Sequence, residues 1–374
     1  MSQKSVLKVI KVGGSILSNR NEFANVALKI RDESHKCKEI IVVISAMKGV
    51  TDNLIELSTN QKNVTLGSIG EFLECYPSFS ELHMDSHELQ DMLISNISEG
   101  NIDQLITLGE RLSALCLNYF LNKIEIKCRI IDPGDIIYYD GGEKPPSYSP
   151  GNEADFRIIE KTPVSIVPGF YGRDNEGRIK AFSRGGSDLS AGIVAGYLEA
   201  SELEFWKDVG AVMTGDPKIV DSPQPILSIN RKMLTEMTEI GSRILHPLSL
   251  EYVDLDLTRV KIRGIDTNRD TTTEVVNDMV NCLSIVVSSR PDKHRSCENF
   301  QDIEEAGIYV LTDGELEFVN SISYKVWHFF EILGSGLSGK LHQDRGMISF
   351  RSSYSECRRI ANELHKNLFS GDSM

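Results

Sequence analysis

Over the first 265 residues, short β-branched runs alternate with longer stretches in which apolar residues recur at helical spacing. That alternation belongs to a largely parallel sheet with helices on both faces. Strands are expected at 6–12, 40–44, 127–132, 164–168, 203–206 and 259–263. Helical stripes are expected through Phe23, Val26, Ala27 and Ile30, and over 103–122 through Leu105, Leu108, Leu112, Leu115 and Tyr119. The stretch 133–163, rich in Gly, Pro and Tyr, is longer than loops inside a compact domain usually are, and it reads as an insertion, either a lid or a hairpin excursion.

After about residue 270 the pattern changes. Strands at 283–287, 308–311, 316–319 and 347–351 interleave with helices at 299–306 and 324–332, and a last helix covers 355–369. This order is that of a ferredoxin-like split unit. The 374 residues therefore divide into an α/β domain over 1–270 and a small α+β domain over 271–374.

Forty Lys and Arg against fifty-four Asp and Glu leave a formal charge of -14, which argues against nucleic acid or an anionic membrane as a partner of the whole chain. Any anionic ligand has to meet a local basic site. The longest apolar runs, such as IIVVISAM at 40–47, fall short of the ~20 residues of a membrane span. Seven scattered cysteines without a C-x-x-C pair, and a start without a signal-peptide apolar core, give the expectation of a cytoplasmic protein without disulfides. The eight histidines have no ligand partners at metal spacing, so no protein-ligated metal is expected.

Five segments carry chemistry. Lys11-Val12-Gly13-Gly14-Ser15 lies between a strand and a helix, where paired glycines admit a ligand to the backbone and amides and a lysine attract phosphate. The same residues also suit a plain turn. Ser45 to Asp52, SAMKGVTD, repeats the arrangement; ligands collect outside the carboxyl ends of strands, so both turns suit one crevice. Thr51 there is either a substrate-contacting hydroxyl or an N-cap for a helix at 53–57. Gly109-Glu110-Arg111-Leu112-Ser113 places a glycine in an apolar helix, for close packing or to aim a carboxylate at an amino group. Ser183-Arg184-Gly185-Gly186-Ser187-Asp188 joins a carboxylate-clamping arginine to two glycines and an aspartate at a helix start. The fifth, KDVGAVMTGDPK at 207–218, is a strand running into a rigid loop suited to a nucleotide. By contrast, GSGLSGK at 334–340 fits two glycine-loop patterns only as a string, because Leu341 replaces the magnesium-binding Ser or Thr; it reads as a flexible loop.

In this order the segments resemble the aspartokinases of the amino acid kinase family, whose motifs run K-F-G-G-T-S, S-A-M-x-G-V-T-D, G-E-R-x-S, G-R-G-G-S-D-Y-S-A and T-D-V-D-G-V-x-T-A-D-P-R. Gly241 to Pro247, GSRILHP, is similar to the family's G-A-K-V-L-H-P. The likeness covers roughly residues 5–270. It implies the amino acid kinase fold with a reduced C-terminal domain of the ACT type, and transfer of the ATP γ-phosphoryl group to the β-carboxylate of L-aspartate, the first step toward lysine, threonine and methionine. It also implies roles. Lys11 and Asp188 are the catalytic pair; Gly13, Gly14 and Ser15 surround the transferred group with Lys11. Arg184 clamps the α-carboxylate of aspartate, Glu110 meets its ammonium, and Thr51 and Ser187 complete the substrate shell. Asp208, Met213, Asp216, Lys218 and Arg243 fall where the family binds ATP, with Mg2+ held mainly by phosphates and water. A homodimer or higher homo-oligomer is implied.

The departures are Val12, Ser15 and Ser183, and more seriously Lys207 for Thr, Met213 for an aromatic and Arg243 for Lys, which bear on nucleotide affinity. Two alternatives stay open: another family kinase, acting on glutamate, N-acetylglutamate or a nucleoside monophosphate, and a non-catalytic amino-acid-sensing relative.

Overall fold

The β-branched runs are parallel strands, and the amphipathic stretches between them cover both faces of their sheet. The computed structural model describes residues 7–59, 95–96, 99–139, 148–150, 162–242, 244–265, 271–288, 306–313, 322, 325–326, 339–342, 347–352 and 354–369. They fall into two units, Met1–Val209 with Leu248–Asp270, and Gly210–Pro247 with Thr271–Met374. Segment 210–247, grouped by sequence with the first 270 residues, clusters with the C-terminal ones.

The first unit runs β1 (Leu7–Val12), α1 (Arg20–Ser34), β2 (Glu39–Ile44), α2 (Val50–Thr59), α3 (Ile102–Ile106), α4 (Leu108–Lys123), β3 (Cys128–Ile130), β4 (Ile137–Tyr139), β5 (Tyr148–Pro150), β6 (Val164–Pro168), β7 (Tyr171–Asp174), β8 (Ile179–Ala181), α5 (Gly186–Tyr197) and β9 (Glu202–Lys207). The chain then forms β10 (Val212–Met213), β11 (Pro225–Ile226), β12 (Ser228–Asn230) and α6 (Arg231–Ile240) of the second unit, and returns as β13 (Arg259–Gly264). Within the first unit the strand order is β13-β9-β1-β2-β6-β3, every pair parallel. Because helices cover both faces, the central strands are continuous apolar runs, and Ile40 to Ile44 are buried throughout. Ile10, Val12, Val42, Ile44 and Trp206 pack against Phe23, Val26 and Ile30 of α1 and Leu112 and Leu117 of α4; each such aliphatic side chain contributes about 1.5–3 kcal/mol on burial. Asn19 starts α1 by accepting the amides of Asn21 and Glu22.

On the other face lies α5, against β1, β2 and β9. Its small residues have a cause: a Cβ on Gly192 or Gly196 would stand 1.8 Å from the Ser249 carbonyl oxygen or 1.7 Å from that of Tyr252. The insertion is in part a hairpin excursion: β4 and β5 pair antiparallel, and β4 joins β7 and β8 in a second small sheet. Its stretches 140–147 and 151–161 lie outside the described residues.

One helix was expected over 103–122, but α3 and α4 are separated at Thr107. Gly109 therefore sits in the first turn of α4 instead of mid-helix, where the helical cost of glycine is largest. At the amino ends of β1 and β9, buried Lys8 meets three carboxylates, Glu33 at 2.7 Å, Glu202 at 2.8 Å and Glu204 at 3.1 Å. Burial opposes its charge, yet these neighbours hold the ammonium above its usual range. Glu204 also accepts the Trp206 indole N–H at 2.7 Å.

In the second unit, β14 (Thr272–Val276) pairs with β12. Then β15 (Cys282–Ser288), β16 (Ala306–Asp313), β17 (Gly339–His342) and β18 (Met347–Ser352) form an antiparallel sheet in the order β15-β16-β18-β17, and α7 (Tyr354–Phe369) packs on it. A split unit started at 283 would not give this order. The pattern begins instead at β16, and β15, earlier in the chain, takes the edge beside it that a closing strand would occupy. Ala306 opens β16 and does not end a helix, and Gly339 and Lys340 open β17 instead of lying in a loop. The expected elements at 299–305 and 316–319 lie outside the described residues, as do 334–338 and most of 324–332.

Candidate active site

At the carboxyl end of β1 the chain turns through Gly13 into a short 3-10 turn at Gly14–Ile16. The Gly13 amide donates to the Trp206 carbonyl at 3.0 Å, tying the turn to β9. Gly14 meets the second glycine-bearing turn, since a Cβ there would fall 2.3 Å from the Ala46 carbonyl oxygen. Both turns thus line one end of the sheet, the end where ligands collect in open α/β folds. Ser15 donates its hydroxyl to Asp208 at 2.9 Å.

The Lys11 ammonium lies 2.7 Å from Asp188, and both side chains are buried. Asp188 and Ser187 are in the first turn of α5, entered through Gly185 at φ +86°, a left-handed conformation natural to glycine. Gly169 closes on Ser187; a Cβ there would stand 2.7 Å from the serine Cβ. Lys207 approaches the other Asp188 oxygen at 3.9 Å. Burial lowers the pKa of Lys207, and so does the charge of Lys11, against the opposing pull of Asp188 and Asp208. Lys207 stands in the sequence as a departure, not as a site residue. Its place follows from strand pairing and not from a local signal: Lys11 is in register with Phe205, and two residues further along β9 the side chain returns to the same face.

Glu110, in the first turn of α4, is buried, and burial pushes its carboxyl up to about 8. The Ala46 amide donates to it, but its Oε2 has no hydrogen-bond partner. Arg184 is exposed and pairs with Asp52 at 2.5 Å, a contact not anticipated from sequence. Thr51 lies inside α2, which starts at Val50 and not at 53, so it is not an N-cap; its side chain is partly exposed.

The remaining candidates belong to the second unit. Met213 ends β10 and is half-buried, whereas Asp216 and Lys218 are exposed and joined by a 2.8 Å bond from the Lys218 amide to the Asp216 carboxylate. Arg243 lies outside the described residues. Among the described residues, no group of three or more His, Cys, Asp and Glu side chains is arranged to hold a metal ion. Nor is any helix there long and apolar enough to cross a membrane.

The first unit is an α/β fold whose glycine turns lie with buried Lys11 and half-buried Lys207 at the carboxyl ends of its central parallel strands, the end at which such folds take their ligands. The chain belongs to the amino acid kinase family, whose model matches residues 7–264. Among curated proteins it is similar to the aspartokinase of Rickettsia felis, 25% identical over 249 residues, covering 66% of this chain and 55% of that one. The Helicobacter pylori aspartokinase is 26% identical over 248 residues (66% and 53%), and the chloroplastic aspartokinase 2 of Arabidopsis thaliana 29% over 281 (66% and 50%). A bifunctional aspartokinase/homoserine dehydrogenase of Buchnera aphidicola matches over 34% of its own length. The chain thus matches between about a third and just over half of these relatives. Among solved structures, Escherichia coli aspartokinase III in complex with aspartate and ADP superposes with a TM-score of 0.75 at 17% identity, covering 97% of this chain and all of that one. The Clostridium acetobutylicum aspartate kinase gives 0.70 at 19% identity, over 96% and 99%. These likenesses establish the fold.

Proposed function

We propose that the chain is an aspartate kinase, transferring the γ-phosphoryl group of ATP to the β-carboxylate of L-aspartate to give 4-phospho-L-aspartate. The observation that carries this reading is the buried Lys11–Asp188 pair beside the Gly13–Gly14 turn, together with its likeness to aspartokinases along the matched region.

An anionic carboxylate has to attack an anionic phosphate, so catalysis consists of cancelling charge and holding the reactants in line. Lys11 and the amides of Gly13, Gly14 and Ser15 take the transferred group. Asp188 fixes the Lys11 ammonium and so directs its charge. Arg184 exchanges Asp52 for the α-carboxylate of aspartate, a bidentate partner of matching shape. Glu110, whose burial favours the protonated form against the pull of Lys11, ionises against the substrate ammonium, and Thr51 and Ser187 complete the shell. Asp208, Met213, Asp216, Lys218 and Arg243 are assigned to the nucleotide by resemblance. Magnesium would be held mainly by the phosphate oxygens of ATP and by water, and would supply neutralisation of phosphate charge. A homodimer or higher homo-oligomer is part of the same reading.

The test is magnesium-dependent ADP release with L-aspartate, L-glutamate, N-acetylglutamate and UMP in parallel, with hydroxylamine to trap an acyl phosphate. Hydroxamate formed with aspartate alone is the expected result. ADP release with another acceptor only overturns the substrate assignment, and aspartate binding without turnover overturns the kinase.

A further inference from the structure

The 213–221 segment is built into the second unit. Ile219 and Val220 belong to the same apolar core as Leu283 and Ile285 of β15, Ile308 and Val310 of β16, and Ile360, Ala361 and Leu364 of α7. Gly215 forms a parallel bridge with Ile285, whose amide donates to the Thr214 carbonyl at 2.9 Å. Two polar side chains of α7 reach the segment. Asn362 donates its Nδ2 to the Ile219 carbonyl and accepts the Asp221 amide at 2.8 Å, which leaves the amide side chain engaged at both ends. His365, buried and stacked on Phe369, places Nε2 2.8 Å from the Thr214 hydroxyl. That hydroxyl also accepts the Gln224 amide at 2.8 Å, and it donates to Nε2 in the tautomer that carries its proton on Nδ1. Burial lowers the His365 pKa and keeps the ring in the neutral form that accepts.

A loop whose exposed residues, Asp216 and Lys218, have to present fixed polar groups needs its backbone held on the opposite side. We infer that Asn362 and His365 are positioning residues for the nucleotide-binding segment 213–218, so that the C-terminal helix is a working part of nucleotide binding and not an appended module. The inference rests on the reading of that segment as a nucleotide site.

The experiment compares the wild-type protein with Asn362→Leu, which removes both hydrogen bonds to the segment at similar size, with His365→Phe, which keeps the stacked ring without a nitrogen, and with His365→Gln, which restores an acceptor. Magnesium ADP is titrated calorimetrically, and L-aspartate is titrated separately on the same samples. The expected result is an ADP dissociation constant raised about tenfold in the first two variants, as for the loss of one or two neutral hydrogen bonds. Aspartate affinity should stay unchanged, and His365→Gln should recover most of the loss. A purely structural role would lower the competent fraction and the melting temperature without moving the ADP constant of the folded molecules, and that result overturns the inference. If wild-type protein binds aspartate but not magnesium ADP, the nucleotide reading fails and this inference fails with it; unchanged ADP binding in variants of a binding wild type overturns the inference alone.

Discussion

The ammonium of Lys11, on the central strand β1, stands 2.7 Å from the carboxylate of Asp188, in the first turn of the helix covering that strand. Two elements far apart in sequence are joined by one buried ion pair. Removing Asp188 leaves the buried Lys11 ammonium without its ion pair, and removing Lys11 leaves Asp188 only the more distant Lys207. Asp188→Asn, which keeps the shape, is expected to lower kcat at least about a thousandfold, with the loss also visible in a single-turnover assay. Lys11→Met should do the same, and full activity in either variant refutes the pairing as part of the chemistry.

Glu110 makes stability depend on pH. Its folded pKa of about 8 lies above the ordinary 4.5 because of burial, so its contribution is fully present below about pH 4.5 and is lost as pH rises toward 8. The cost of ionising it is roughly 5 kcal/mol. Glu110→Gln should therefore match wild type near pH 5 in urea denaturation and exceed it near pH 8. Bound aspartate favours the ionised form, so the aspartate KM should fall between pH 6 and 8 in wild type and stay flat in the variant.

Lys207 and Lys11 share one carboxylate. Burial and the nearby Lys11 disfavour the charge on Lys207, and a bound phosphate would favour it. Lys207→Met is expected to raise the melting temperature without nucleotide and to weaken magnesium ADP binding about tenfold. Thermal scans with and without ADP separate the two effects; an unchanged ADP shift would remove Lys207 from the site.

Lys8 joins three carboxylates, those of buried Glu33 and Glu204 and half-buried Glu202. Lys8→Met should cost about 3–5 kcal/mol in chemical denaturation, because Glu33, Glu202 and Glu204 lose their shared buried cation and keep only the more exposed Lys36, Lys261 and Arg263. In wild type, burial works against ionised Glu33 and Glu202, but hydrogen bonds with lysines hold both below their usual range. Their contribution is present above about pH 4.5 and is lost as pH falls through the depressed values. The acid limb of the stability curve should accordingly be shallower in Lys8→Met.

Gly192 and Gly196 fail for a steric reason. A Cβ at either would sit under 2 Å from a backbone oxygen, so Gly192→Ala should destabilise by about 1–3 kcal/mol despite alanine's better helix propensity. Equal stability would mean that the 249–252 backbone can withdraw.

Much of the first unit was legible because its signals are local. The run at 40–44 is a buried strand because no polar residue interrupts it, and Lys11, Gly13 and Gly14 follow a strand end, where a glycine turn has few alternatives. The break at Thr107 was hidden, since the apolar stripe continues in phase across it and periodicity does not register one changed backbone angle. Thr51 was misplaced for a related reason: α2 starts earlier, after Gly49 at φ +83°.

Local patterning and the spacing of glycine-bearing motifs thus sufficed for fold class, strand positions and most residues at the carboxyl ends of the sheet, because turns, helix starts and strand alternation depend on neighbours within a few positions. Only the tertiary structure decided which charges meet. That Lys207 shares Asp188 with Lys11, that Arg184 pairs with Asp52, that β15 takes the edge beside β16, and that α7 grips the 214–221 segment all depend on strand order and packing. Those contacts join residues many positions apart, and a one-dimensional pattern carries no record of which distant segments lie side by side.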